Sequence, residues 1–250
     1  MAETETLAYI ALGALVATLS SMAGIGGGVF MVPLFYLALG LPINQAVGTS
    51  KAVIVIIASI STATYLSRGR VDLRTGTILM ATTIPGSYLG AYLVSLVDPT
   101  ILEYAVAAFI LWYSARLIYR ALRQPSNPPQ KPRGNPLLVA LAGIVVGLVA
   151  GLTGTGGGAL LVPLMISGLG MGIHEAVATS MYSMTMAAIA AAVRHHMSGE
   201  IVYSIAIPFA LGAVVGAMAG PRIALRMNAR HLRIVIGIVL AIVGIRMILA

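Results

Sequence analysis

Residues 21–34, SMAGIGGGVFMVPL, return at 151–164 as GLTGTGGGALLVPL. The offset is 130 residues, and it carries 7–118 onto 137–248 without a gap. Gly24, Gly26, Gly27, Gly28 and Pro33 fall on Gly154, Gly156, Gly157, Gly158 and Pro163. Downstream, INQAVGTSK (43–51) falls on IHEAVATSM (173–181), while Gly69, Gly86, Gly90 and Arg116 fall on Gly199, Gly216, Gly220 and Arg246. One register kept over so long a stretch marks a duplicated chain. Its most repeated feature is four glycines in five residues, the poorest helix former placed where the flanking sequence is apolar.

Composition sets the solvent. Of 250 residues, 59% are hydrophobic and 9% charged, with a mean hydropathy of +0.98. Soluble domains average about 25% charged residues, so this chain lacks the polar surface for water. Its long apolar runs exclude a membrane β-barrel, which alternates over roughly ten-residue strands. The absence of cysteine removes disulfides and thiolate metal sites. The acidic start, MAETET, lacks the basic n-region of a secretory signal, so the first apolar run is expected to stay in the mature protein. A net charge of +8 fits arginines on cytoplasmic loops, and no nucleic-acid partner is expected.

Three units follow: a first transmembrane repeat at 1–123, a proline-rich cytoplasmic linker at 124–136 and a second repeat at 137–250. The linker, QPSNPPQKPRGNP, carries five prolines and cannot continue a helix. Apolar segments fall near 7–22, 29–40, 44–66, 74–94 and 100–122, then near 137–150, 159–169, 174–196, 202–220 and 230–249. The last three of each set are long enough to span a bilayer. The first two are short and divided by the glycines; 29–40 would reach only about 18 Å as a helix, against a core of about 30 Å.

Arginine and lysine orient the chain. If the first two segments enter and leave on one side, Arg68, Arg70, Arg74, Arg116, Arg120, Arg123, Lys131, Arg133, Arg222, Arg226, Arg230 and Arg233 share one face, which is twelve of the 15 basic residues. That face is cytoplasmic by the positive-inside rule. The loop near 95–100 carries Asp98 and no base, whereas its counterpart at 225–230 carries Arg226 and Arg230. Matched loops of opposite character belong on opposite faces. The expected fold is an all-α polytopic membrane protein of two inverted five-segment repeats, with glycine-broken short helices at the start of each. In the rival count the first two segments form one broken crossing, giving parallel halves of four spans and placing the arginines of 221–233 outside.

Inverted repeats build many secondary transporters, with the substrate near the midplane. Irregular backbone at that depth is tolerated where it is buried or lines a wet cavity. Amides freed at Gly26, Gly27, Gly28, Gly156, Gly157 and Gly158, at the start of half-helices, favour an anion. Glycine also serves close helix packing, the reading given to Gly86, Gly90, Gly212, Gly216 and Gly220. Lys51 lies about 12 Å into a span, where a lysine is costly and marks function unless it snorkels to the interface. Thr49, Ser50, Thr179 and Ser180 are repeated hydroxyls, which in membrane helices also bond the preceding turn. Met181 stands where Lys51 stands in the first half, so the site carries one fixed positive charge. Together these groups suit a small oxyanion.

Other polar groups are plainer. Asn44, Gln45, His174 and Glu175 sit at segment starts; His195 and His196 lie at the outer end of a span beside Arg194, as an interfacial cap or part of an entry path. Trp112, Tyr113 and Tyr119 fit an aromatic belt. No carboxylate falls mid-span, and no metal-ligand spacing, Gly-x-Ser-x-Gly or facing aspartates argue for an enzyme. No metal or cofactor is expected. The expected partners are a small anionic substrate, the lipid bilayer, a coupling ion (proton or sodium) and a second copy in a homodimer.

AGIGGGVFMVPL with AVGTSKAV, then GLTGTGGGALLVPL with AVATSMYS, resembles the sulfite exporter TauE/SafE family of bacterial and archaeal permeases. The resemblance covers nearly the whole chain. It implies transport of sulfite or of organosulfonates such as sulfoacetate across the cytoplasmic membrane. The residues by themselves reach a small oxyanion and not sulfur; phosphate or a carboxylate would accept the same donors. A passive anion channel, its pore lined by the glycine breaks, is the alternative mechanism.

Overall fold

The computed structural model describes residues 2–123 and 136–226, with 230, 234, 238, 241, 245, 248 and 249 beyond them. The expected linker, apart from Pro136, and most of the last apolar segment lie outside the described residues. The rest is helical: α1 Ala2–Ala23, α2 Gly28–Pro33 continued by a π-helical turn Leu34–Ala38, α3 Ile43–Leu66, α4 Leu73–Val94, α5 Pro99–Arg123, α6 Pro136–Thr153, α7 Gly158–Gly168, α8 Ile173–Met197 and α9 Tyr203–Ala224. Five of these, α1, α3, α4, α8 and α9, are long and apolar enough to cross a membrane.

One expectation needs correcting. The first segment is not short: α1 has 22 residues, about 33 Å. Glu5 in its first turns complements the helix dipole, and the helix takes in the acidic start that hydropathy leaves out. The second segment stays short, and Gly28–Ala38 is about 16 Å long.

Repeated glycines stop the helices. α3 and α8 each end in a Schellman turn: the amides of Gly69 and Arg70 donate to Leu66 and Tyr65, and those of Gly199 and Glu200 to His196 and His195.

Contacts fix the relative directions of α1, α3, α4, α6, α8 and α9. Gly212, Gly216 and Gly220 press against the backbone of Ile10, Ala14 and Thr18, so α9 and α1 advance together. Gly86 and Gly90 press against Ile144 and Leu148 in the same way, so α4 and α6 are parallel. Thr49, near the start of α3, accepts from Val202 N just beyond α8 (3.0 Å), and Thr179, near the start of α8, accepts from Asp72 N just beyond α3 (2.9 Å). α3 and α8 are therefore antiparallel. Ser61 Oγ donates to Ala217 O (3.3 Å), which makes α3 parallel to α9. Ser183 Oγ donates to Gly76 O (3.2 Å), which makes α4 parallel to α8. Thus α1, α3 and α9 run one way and α4, α6 and α8 the other. Since α1 and α3 run the same way, the chain between them turns back, as a single broken crossing would not.

The antiparallel α3/α8 pair is the centre. α9 packs on α3 and α4 on α8; α1 and α6 pack outside these, against α9 and α4. The short α2 and α7 lean on α3 and α8. Outward faces are apolar, with Leu7 and Leu15 on α1, Leu137 and Leu141 on α6, and Leu211 and Val215 on α9 all exposed. Lipid rather than water is the solvent for such a surface.

Candidate functional site

The two glycine breaks touch. Gly24, Gly26 and Gly27 have φ of +73°, +76° and +97°, and Gly154, Gly156 and Gly157 have +70°, +83° and +87°. A side chain there would be strained, so glycine is what lets each chain reverse. Gly28 and Gly158 meet a different need. A Cβ on Gly28 would overlap the carbonyl oxygen of Gly154, and one on Gly158 that of Gly24. The segments 24–28 and 154–158 thus cross in opposite directions with backbone against backbone. Beside the crossing lie Ile54 and Met184, halfway along 24- and 25-residue helices.

Each break leads into a half-helix whose first amides have no intrahelical partner. Gly27 and Gly157 stand at the N-caps, and their carbonyls take the amides of Phe30 and Met31, and of Leu160 and Leu161.

The repeated hydroxyls hold this arrangement. Ser50 Oγ donates to Gly154 O (3.1 Å) as well as to Val47 O (2.7 Å), and Ser180 Oγ donates to Gly24 O (2.8 Å). Each serine therefore grips the other half's break. Thr49 and Thr179 tie the start of one central helix to the end of the other. The structure thus brings Gly26, Gly27, Gly28, Gly156, Gly157, Gly158, Ser50 and Ser180 together at the crossing, with Thr49 and Thr179 farther out along α3 and α8. All ten are buried.

Lys51 lies elsewhere. It follows Ser50 and is turned about 100° around α3. It shares a helix face with Gly48, one turn back, and Gly48 abuts the backbone of Glu200. The Lys51 side chain is fully buried and its Nζ has no hydrogen-bond partner. That face therefore looks toward the turn after α8, where Glu200 meets His195. The Schellman turn at Gly199 folds Glu200 back, so that Glu200 Oε2 meets His195 Nδ1 at 2.7 Å. His195 Nε2 is buried and unpartnered like Lys51 Nζ.

Sequence reasoning placed His195 in a cap and passed over Glu200. The signal was in the departures from the repeat. Lys51 matches Met181, Tyr65 matches His195, and Arg70 matches Glu200. Three changes of chemical class converge on one end of the α3/α8 pair. Arg194 also gathers there, over the Tyr92 ring at 4.9 Å and donating to Ser95 Oγ (3.2 Å).

Comparison with known proteins agrees with a membrane protein. The family sequence model described as Sulfite exporter TauE/SafE matches residues 9–247. Probable membrane transporter protein YunE of Bacillus subtilis (strain 168) is 31% identical over 262 residues, spanning 96% of this chain and 96% of its own. Probable membrane transporter protein YdhB of the same organism is 24% identical over 225 residues, with 89% and 91% covered. Probable membrane transporter protein MJ0441 of Methanocaldococcus jannaschii is 25% identical over 255 residues, with 96% and 94% covered. No solved structure matches the chain.

Proposed function

The chain belongs to the sulfite exporter TauE/SafE family, and from that premise we propose that it is a secondary transporter carrying a small sulfur-containing anion by alternating access. Sulfite and organosulfonates such as sulfoacetate are the substrates. The observation that carries this reading is the crossing of the two glycine breaks, halfway along the central helices and built equally from both halves of the chain. A transporter needs a site reachable from either face in turn, and a crossing of two related segments supplies one.

The halves are inverted repeats. Support comes from α1, α3 and α4, each of which runs opposite to its counterpart α6, α8 or α9. The arginines agree, because Arg68, Arg70, Arg74, Arg222 and Arg226 then share the cytoplasmic face with the 124–136 linker. The units are 1–123 and 137–250, and rocking one against the other opens the site alternately. In the substrate-bound form, oxygens of the anion take the first-turn amides after Gly28 and Gly158 and the hydroxyls of Ser50 and Ser180, while Thr49 and Thr179, farther out, line the path from either face. Lys51, facing away from the crossing on α3, supplies a fixed positive charge on the anion's path. Ser50–Gly154 and Ser180–Gly24 are the contacts exchanged for substrate.

Counterflow in liposomes tests the reading. Vesicles of purified protein loaded with unlabelled sulfoacetate or sulfite are expected to take up the labelled anion saturably and faster than empty vesicles. Large non-saturating currents without trans-stimulation would make it a channel. Equal preference for phosphate or acetate would remove sulfur from the specificity.

A further inference from the structure

Two buried nitrogens without partners, brought to the same end of the α3/α8 pair, call for a ligand between them. Buried polar atoms almost always find a hydrogen bond, and an unmet one is expensive. Lys51 Nζ and His195 Nε2 are the two, held on α3 and α8 from different halves of the chain. We propose that Lys51, His195 and Glu200 form a proton-linked anion site, in which one anion seats between Lys51 Nζ and His195 Nε2 together with one proton. This rests on the transport reading and names its coupling ion.

Glu200 decides the chemistry. A carboxylate only accepts, so the 2.7 Å contact puts the ring proton of neutral His195 on Nδ1. Nε2 is then a bare lone pair and repels an anion. A proton taken from solution by Nε2 turns that atom into a donor, and the anion accepts from Nε2–H and from the Lys51 ammonium. When Lys51 is the ammonium and Glu200 the carboxylate, the empty cluster is neutral. One proton and one negative charge leave it neutral when loaded, so the low-dielectric interior holds no extra charge at either stage.

The groups around His195 are accounted for. Lys51 comes from α3, Arg194 and His196 from α8, Glu200 from the turn and Tyr203 from α9. The Arg194 guanidinium is held by Ser95 and Ser198 over the Tyr92 ring. His196 Nδ1 pairs with Tyr203 OH at 2.7 Å and is exposed. The related cluster at the other end of the helix pair is different. Met181 is buried and apolar, Tyr65 OH donates to Ser21 O at 2.9 Å, and Arg70 is exposed. The proton site is therefore single and lies on the side of the molecule opposite the arginine-rich loops.

Methanesulfonate, a singly charged sulfonate ionised across the working pH range, is the probe, and sulfoacetate, sulfite, phosphate and acetate are titrated beside it. Binding to the purified protein is measured by calorimetry in buffers of differing ionisation enthalpy. The expected result is uptake of about one proton per anion, with affinity falling about tenfold per pH unit on the alkaline side. Folded His195→Gln and Glu200→Gln proteins are expected to lose that uptake and give a flatter profile, while His196→Gln keeps both. Binding without proton uptake in the unaltered protein overturns the proposal and leaves the transport reading standing. Undiminished uptake in folded His195→Gln overturns it as well, as would uptake lost only in Lys51→Met. Failure of methanesulfonate, sulfoacetate, sulfite, phosphate and acetate all to bind would remove the transport reading and this inference together.

Discussion

Lys51→Met is expected to make the protein more stable and nearly unable to bind its anion. The buried Lys51 Nζ has no hydrogen-bond partner, and methionine occupies the related position, 181, fully buried. Replacing buried ionic groups by apolar ones of similar volume often gains about 1–4 kcal/mol. Removing the charged partner of a buried anion costs about 2–5 kcal/mol, or roughly 30-fold to several thousand-fold in affinity. A thermal-shift series with and without sulfoacetate reads both effects, since a ligand that binds the native state raises its apparent stability. The baseline should rise and the ligand-induced shift should vanish. An unchanged shift would take Lys51 out of the anion site. A lowered baseline would mean that the ammonium is satisfied in the membrane.

Valine at either crossing glycine is expected to abolish the fold. At Gly28 the new Cβ would overlap the Gly154 carbonyl, and at Gly158 the Gly24 carbonyl. Ordinary overpacking costs about 1–3 kcal/mol because side chains yield; here the obstacle is backbone held by Ser50 or Ser180. Gly28→Val and Gly158→Val should therefore fail alike, as related halves of one contact. Gly40 has open space around it and a φ of +66°, so Gly40→Ala should cost only about 1–2 kcal/mol and keep transport. Size-exclusion profiles in detergent and liposome uptake separate the cases. A monodisperse, active Gly28→Val protein would mean that the two breaks do not meet.

Much of this architecture was legible because it is local or repeated. Hydropathy alone places Ile43–Leu66, Leu73–Val94, Ile173–Met197 and Tyr203–Ala224 close to where they occur, and the 130-residue offset pairs them. The glycine clusters were legible as breaks, but only half of their reason was. Positive φ at Gly26 and Gly27 follows from a reversing chain, whereas the bare Cα of Gly28 answers to Gly154 in the other half, which no local pattern encodes. The hydroxyls show the same limit. Their recurrence marks Ser50 and Ser180, yet their bonds run to the opposite break. Lys51 could be singled out by its depth alone. Its neighbours His195 and Glu200 could not, because α8 folds its far end against the start of α3 only in three dimensions.

The central claim is that two copies of one plan face opposite ways in the membrane and meet at the glycine crossing. The chain contains no cysteine, so single cysteines can be placed at will. Positions 68 and 198 lie beyond the ends of α3 and α8, the antiparallel central pair. An impermeant maleimide applied to intact cells is expected to label Ser198→Cys and to spare Arg68→Cys until the membrane is opened. Labelling of both from the same side would contradict the account.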